Sequence, residues 1–142
     1  MTRPIAVIDT NVVVSGLLTR EATSPTAAVL DAMLGGRFTY LLSLELLAEY
    51  RQVLLRPKIR RRHGLGAAAV DALLTELALN GSVREPASVT RAVADRGDLH
   101  LWELLESDAA ALLVTGDTLL RRALEPGRAV SPRRFLQLLR SG

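Results

Sequence analysis

Apolar and polar positions along this chain follow two periods. Ile5 to Ile8 is an unbroken apolar run, short enough for a strand buried on both faces. Helix-period stretches follow over Asn11 to Leu18 and Thr26 to Leu34, and Gly35 and Gly36 stop the second. Phe38 to Leu42 reads as the next strand. Ser43 caps a helix that reaches about Leu55 and ends before Pro57. Ala67 to Leu79 is helical and is closed by Asn80 and Gly81; Val83 marks a brief strand. Asp98 to Glu106 predicts a helix, Ala111 to Val114 a strand, and Asp117 to Leu124 a further helix. Ala129 and Val130 form a last short strand, and Ser131 with Pro132 opens a final helix through Leu139. Strands alternating with helices predict an α/β fold: an open, mostly parallel sheet with helices on both faces. In such sheets ligands bind beyond the carboxyl ends of the strands.

Acids stand where that rule makes them matter. Asp9 follows the first apolar run, and Asp117 follows the run in "ALLVTGD". If the two strands are neighbours, both carboxylates reach one crevice. Each has a plainer reading, Asp9 as a turn acid and Asp117 as a helix N-cap. Asp98 precedes Leu101, Trp102 and Leu105 at offsets three, four and seven, so it shares the packing face of its helix. In "SLELLAEYRQVLLRPK" the apolar face is Leu46, Leu47, Tyr50, Val53 and Leu54. Glu49 lies roughly 100° from its centre and Glu45 roughly 140°, at about 100° per residue. Glu49 is therefore the one expected to reach a site, against the plain reading of a surface glutamate. Carboxylates at this density need a counter-charge, and hard oxygen ligands select Mg²⁺ or Mn²⁺.

Composition narrows the class. The 142 residues are expected to form one domain, 1–142, large enough for a real core. With no cysteine there is no disulfide, thiolate metal site or cysteine nucleophile. No apolar run approaches the roughly 20 residues of a membrane span, and the N-terminus lacks a signal peptide's apolar segment. A cytoplasmic protein is expected. Net charge is only +3, yet of 18 basic residues only Lys58 is a lysine. Arginine suits bidentate phosphate contacts, although a GC-rich genome also favours it. A phosphatase with Asp9 as nucleophile would want a second aspartate where Asn11 stands, and no P-loop motif occurs.

The chain resembles PIN-domain proteins, and among them the toxin component of type II toxin–antitoxin pairs. The resemblance runs nearly end to end. It is carried by "VIDTNVVVSGLL", by "LSLELLAEYRQVLLRPKI", by "DRGDLHLWELLESDAAALLVTGDTLL" and by "VSPRRFLQLL". The resemblance implies a PIN-like three-layer α/β/α sandwich and a metal-dependent ribonuclease. Asp9, Glu49, Asp98 and Asp117 would hold one or two Mg²⁺ or Mn²⁺ ions, with Asn11, Ser15, Asp95 and Thr115 as supporting polar residues. Water activated by the metal would attack phosphorus in line, leaving a 5′-phosphate and a 3′-hydroxyl. The implied partners are an RNA substrate, a small antitoxin protein and a second copy in a homodimer. The alternative is a catalytically inactive PIN-fold module that binds RNA or protein. The chain departs from many relatives at Leu99, His100 and Trp102, and at Glu106 and Asp108.

Basic residues are weighed the same way. Arg56, Lys58, Arg60, Arg61 and Arg62 form the strongest basic patch and are candidates for RNA phosphates. The plainer reading is a solvated loop after a helix. Arg121 and Arg122 follow Asp117 by one turn and can approach substrate or pair with the acids. His63, in the basic loop, and His100, on the exposed side of its helix, are expected to be bystanders. Trp102 is expected in the core.

Overall fold

A computed structural model describes residues 3–86, 96–124 and 127–141. Its elements run β1 (Ile5–Ile8), α1 (Thr10–Leu18), α2 (Pro25–Leu34), β2 (Thr39–Leu42), α3 (Leu44–Leu54), α4 (Pro57–His63), α5 (Ala67–Asn80) and β3 (Ser82–Val83). A 3-10 turn at Arg96–Asp98 then leads into α6 (Leu99–Glu106), β4 (Ala111–Val114), α7 (Thr118–Ala123), β5 (Ala129–Val130) and α8 (Pro132–Ser141). The five strands form one sheet in the order β3-β2-β1-β4-β5, and every pairing is parallel. This is the expected three-layer α/β/α fold.

The apolar runs become the central strands because both of their faces are covered. Ala6, Val7 and Ile8 of β1, Leu41 and Leu42 of β2, and Leu113 and Val114 of β4 are all buried. Fully buried Tyr40, Tyr50 and Phe135 fill the largest spaces, and Phe38 meets Phe135 edge to face at 4.8 Å between ring centres. Residues Ile5 to Ile8 pair with Ala111 to Val114 along the whole of β1. The residues that follow the two strands, Asp9 and Thr115, therefore leave the sheet side by side.

Helices α2 and α3 open on serine caps. Ser24 and Ser43 accept from Ala27 N–H at 3.2 Å and Leu46 N–H at 3.1 Å. One element differs from expectation: Pro57–His63 is a helix, not a loop. Pro57 begins it where no N–H is needed. Gly64 ends it at φ 70°, a left-handed conformation that glycine tolerates. His63 is not idle in a loop either. Leu65 N–H donates to its Nδ1 at 2.9 Å, and its Nε2 lies 2.8 Å from the Leu54 carbonyl oxygen. With Nδ1 accepting, Nε2 donates, and the ring ties the end of α4 to the end of α3.

Helices α1 and α2 cross closely at Gly16. A Cβ there would stand 2.6 Å from the Thr26 carbonyl oxygen, a backbone atom that cannot swing aside. Gly16→Ala is expected to push α1 off α2 and destabilise the fold by about 1–3 kcal/mol. A thermal melt lowered by several degrees is the expected result, and an unchanged melt would show that the crossing relaxes freely.

Candidate acidic active site

The site begins at the carboxyl end of β1. Asp9 N–H still donates to the Val114 carbonyl at 2.9 Å, so its backbone belongs to the sheet. Its side chain caps α1, accepting from Thr10 N–H at 2.8 Å. The other carboxylate oxygen accepts from the Thr115 hydroxyl at 2.7 Å and from the Asn11 amide at 3.2 Å. Asp9 is only 8% exposed, and a buried carboxylate without such donors would be costly. Burial pushes its pKa above the usual carboxylate value. The Thr115 and Thr10 hydrogen bonds pull it down, and the negative charges of Glu49 and Asp117 push it up again.

Thr115 is fully buried and organises the neighbouring loop. Its hydroxyl oxygen accepts from Asp117 N–H at 3.0 Å, while Asn11 Oδ1 accepts from Gly116 N–H at 3.2 Å. Asn11 thus bridges the two strand ends. Asp117 caps α7 through one oxygen, which accepts from Leu119 N–H at 2.9 Å and Leu120 N–H at 3.2 Å. It also lines the same cleft as Asp9, so capping and facing the cleft are compatible.

Glu49 comes from α3, whose inner face holds fully buried Leu46, Tyr50 and Leu54. One turn before it, Glu45 is exposed. One Glu49 oxygen accepts a hydrogen bond from the Thr10 hydroxyl, and the other lies 3.5 Å from His100 Nε2. Tyr50 anchors the whole arrangement from below by donating its hydroxyl to the Ile8 carbonyl, immediately before Asp9. Burial, and then the charges of Asp9 and Glu49, hold the Tyr50 hydroxyl far above its ordinary pKa, so it stays a donor.

The cleft has a volume of about 680 Å³, and its lining includes Asp9, Asn11, Ser15, Glu49, Asp98 and Asp117. Arg56 and Arg62 also line it. The Ser15 hydroxyl pairs with that of Thr26 at 3.0 Å, not with an acid. Lys58, Arg60, Arg61 and Arg122 are exposed elsewhere on the surface. Arg121 donates to the Thr115 carbonyl at 2.8 Å and so braces the loop before Asp117. Asp95 lies outside the described residues.

The sequence reading missed three contributors. Thr10 and Tyr50 hold Glu49 and the end of β1. Their only signal was a hydroxyl at a buried position: Tyr50 sits in an otherwise apolar stripe. His100 corrects the expectation of an exposed bystander, because its side chain is only 11% exposed and faces Glu49. Helix α6 packs on α3 as well as on β1 and β4, which covers the face that its own periodicity leaves open. Trp102 is buried, as expected.

Among the described residues, no group of three or more histidine or acidic side chains stands close enough to hold an ion. The donor chemistry on the cleft wall is nonetheless that of hard cations: carboxylate oxygens from Asp9, Glu49, Asp98 and Asp117.

The raised pKa of Asp9 sets a pH dependence. Unfolded, Asp9 ionises at its ordinary value of 3.8, and folded it keeps its proton to higher pH. Between those two values the native state binds more protons, so this group's contribution to stability falls as pH rises. Urea melts from pH 4 upward should show that fall in the wild type and lack it in Asp9→Asn. Parallel profiles would mean that Asp9 does not carry it.

Neither a curated protein nor a solved structure matches the chain. The PIN domain family model matches residues 5–119, which include Asp9, Glu49, Asp98 and Asp117. The match spans most of the chain and coincides with an all-parallel sheet whose central strand ends deliver acids to one cleft; the chain belongs to the PIN domain family.

Proposed function

We propose that this protein is a ribonuclease that hydrolyses RNA phosphodiester bonds with one or two Mg²⁺ or Mn²⁺ ions held by Asp9, Glu49, Asp98 and Asp117. Membership of the PIN family gives the coarser statement, a nuclease-type function. The observation that carries the finer reading is Asp9: a buried carboxylate facing the charges of Glu49 and Asp117 in an open cleft. Such crowding is unfavourable in isolation and is relieved by a cation. A bound divalent ion would lower the pKa of water and offset phosphate charge.

The chain's own groups do the rest. Asn11 and Thr115 fix one oxygen of Asp9, and Thr10 N–H fixes the other. Held this way, the carboxylate would already be oriented toward a bound ion. Arg56 and Arg62, on the same cleft wall, supply cationic ground for the phosphates that flank the scissile bond. Lys58, Arg60, Arg61 and Arg122 would extend that ground over the outer surface. Arg121 acts through the Thr115 loop, and Ser15 through its contact with Thr26.

The resemblance to toxin components supports a more particular role: the toxin of a type II pair, cytoplasmic, dimeric and silenced by a small antitoxin covering the acidic cleft. No helix among the described residues is long and apolar enough to cross a membrane. The second reading, an inactive PIN-fold module binding RNA or protein, draws on the lack of a three-donor cluster among the described residues.

RNA cleavage by the purified chain with Mg²⁺, Mn²⁺ or EDTA separates the two readings. Metal-dependent cleavage, abolished by EDTA and reduced at least about 100-fold in Asp9→Asn, is expected. Glu49→Gln should lose activity and Glu45→Gln should not. No cleavage and no metal binding by folded protein would favour the inactive module. Arg62→Ala should weaken RNA binding across sequences and lower the salt slope by about 0.7. An unchanged slope would remove Arg62 from the phosphate path.

A further inference from the structure

Glu49 stands in an awkward position. It is a flexible side chain, one-third exposed, whose negative charge acts on that of Asp9. Left alone it would swing toward water and away from Asp9. Two groups from two different elements oppose that motion. The Thr10 hydroxyl, at the first turn of α1, holds one carboxylate oxygen. His100 Nε2, on α6, stands 3.5 Å from the other.

His100 does not line the cleft. Its side chain is 11% exposed and reaches from α6 toward Glu49 on the neighbouring α3. Its Nδ1 is buried and has no hydrogen-bond partner among the described residues. The ring's polar contact therefore runs through Nε2 toward Glu49. An apolar residue would fill this place without leaving a buried nitrogen bare, so packing alone does not account for an imidazole.

We propose that His100 is a positioning residue, which with Thr10 clamps the Glu49 carboxylate and sets its orientation toward Asp9. It acts through Glu49 and touches neither substrate nor ion. Its effect on catalysis rests on the ribonuclease reading, whereas the clamp itself is a property of the metal-free chain.

The test uses the full chain. The chain has only two histidines, so imidazole ¹⁵N resonances can be assigned with His100→Gln. In metal-free protein, His100 is expected as the Nε2–H tautomer with a slowly exchanging proton, and Glu49→Gln should shift that resonance. In calorimetry, His100→Leu is expected to weaken Mn²⁺ binding by about 10- to 100-fold. It should lower kcat for RNA with KM unchanged. His100→Gln, whose amide N–H can reach the same oxygen, should recover most of both.

A resonance indifferent to Glu49→Gln would overturn the clamp. So would wild-type Mn²⁺ affinity in His100→Leu, or a Gln variant as impaired as the Leu variant when both melt like the wild type. Wild-type protein that neither binds Mn²⁺ nor cuts RNA overturns the ribonuclease reading alone, because the nitrogen shifts are read without metal and decide the clamp independently.

Discussion

Everything at this site depends on one buried carboxylate. Asp9 lies at the junction of β1 and α1, its backbone still paired to β4 and its side chain already capping the helix. Removing that group from water is unfavourable, and the surrounding fold offsets the cost with donors from Thr10, Asn11 and Thr115. Two of these donors are local, supplied by the residues that follow. The third arrives from another strand, and it is available only because β1 and β4 lie side by side in register.

From this anchor the rest of the cleft is built by single atoms. The Thr115 hydroxyl donates to Asp9 and accepts from the Asp117 backbone, so one buried oxygen sets the spacing of two strand ends. Tyr50 does the equivalent beneath, tying α3 to the last residue of β1. Because Glu49 is adjacent to Tyr50 on α3, fixing the tyrosine also fixes where the glutamate emerges. Arg56 and Arg62 line the same cleft as the acids.

Some of this was readable in advance from particular residues. Asp9 and Asp117 were visible because each ends an apolar run, and a strand's end is a definite place in an α/β sheet. Glu49 was separable from Glu45 because helix geometry is local and about 100° per residue. The helix at Pro57–His63 was not legible, since seven residues rich in arginine show no apolar stripe, and its ends rest on Pro57, Gly64 and a histidine bridge to another helix. His100 was misjudged for a related reason. Its own helix leaves it off the main apolar face, and only the arrival of α3 covers it.

Local chemistry in the sequence determined the order of the strands and of every helix but Pro57–His63, the serine caps of α2 and α3, and which acids stand at strand ends. Each of these depends on residues within a few positions of one another. What the tertiary structure decided is which ends meet. The order β3-β2-β1-β4-β5 places Asp9 beside Thr115, more than a hundred residues away in the chain. It also brings α3 and α6 together, so that Glu49 meets His100. Such contacts follow from how whole faces pack, and no short-range pattern of residues carries that information.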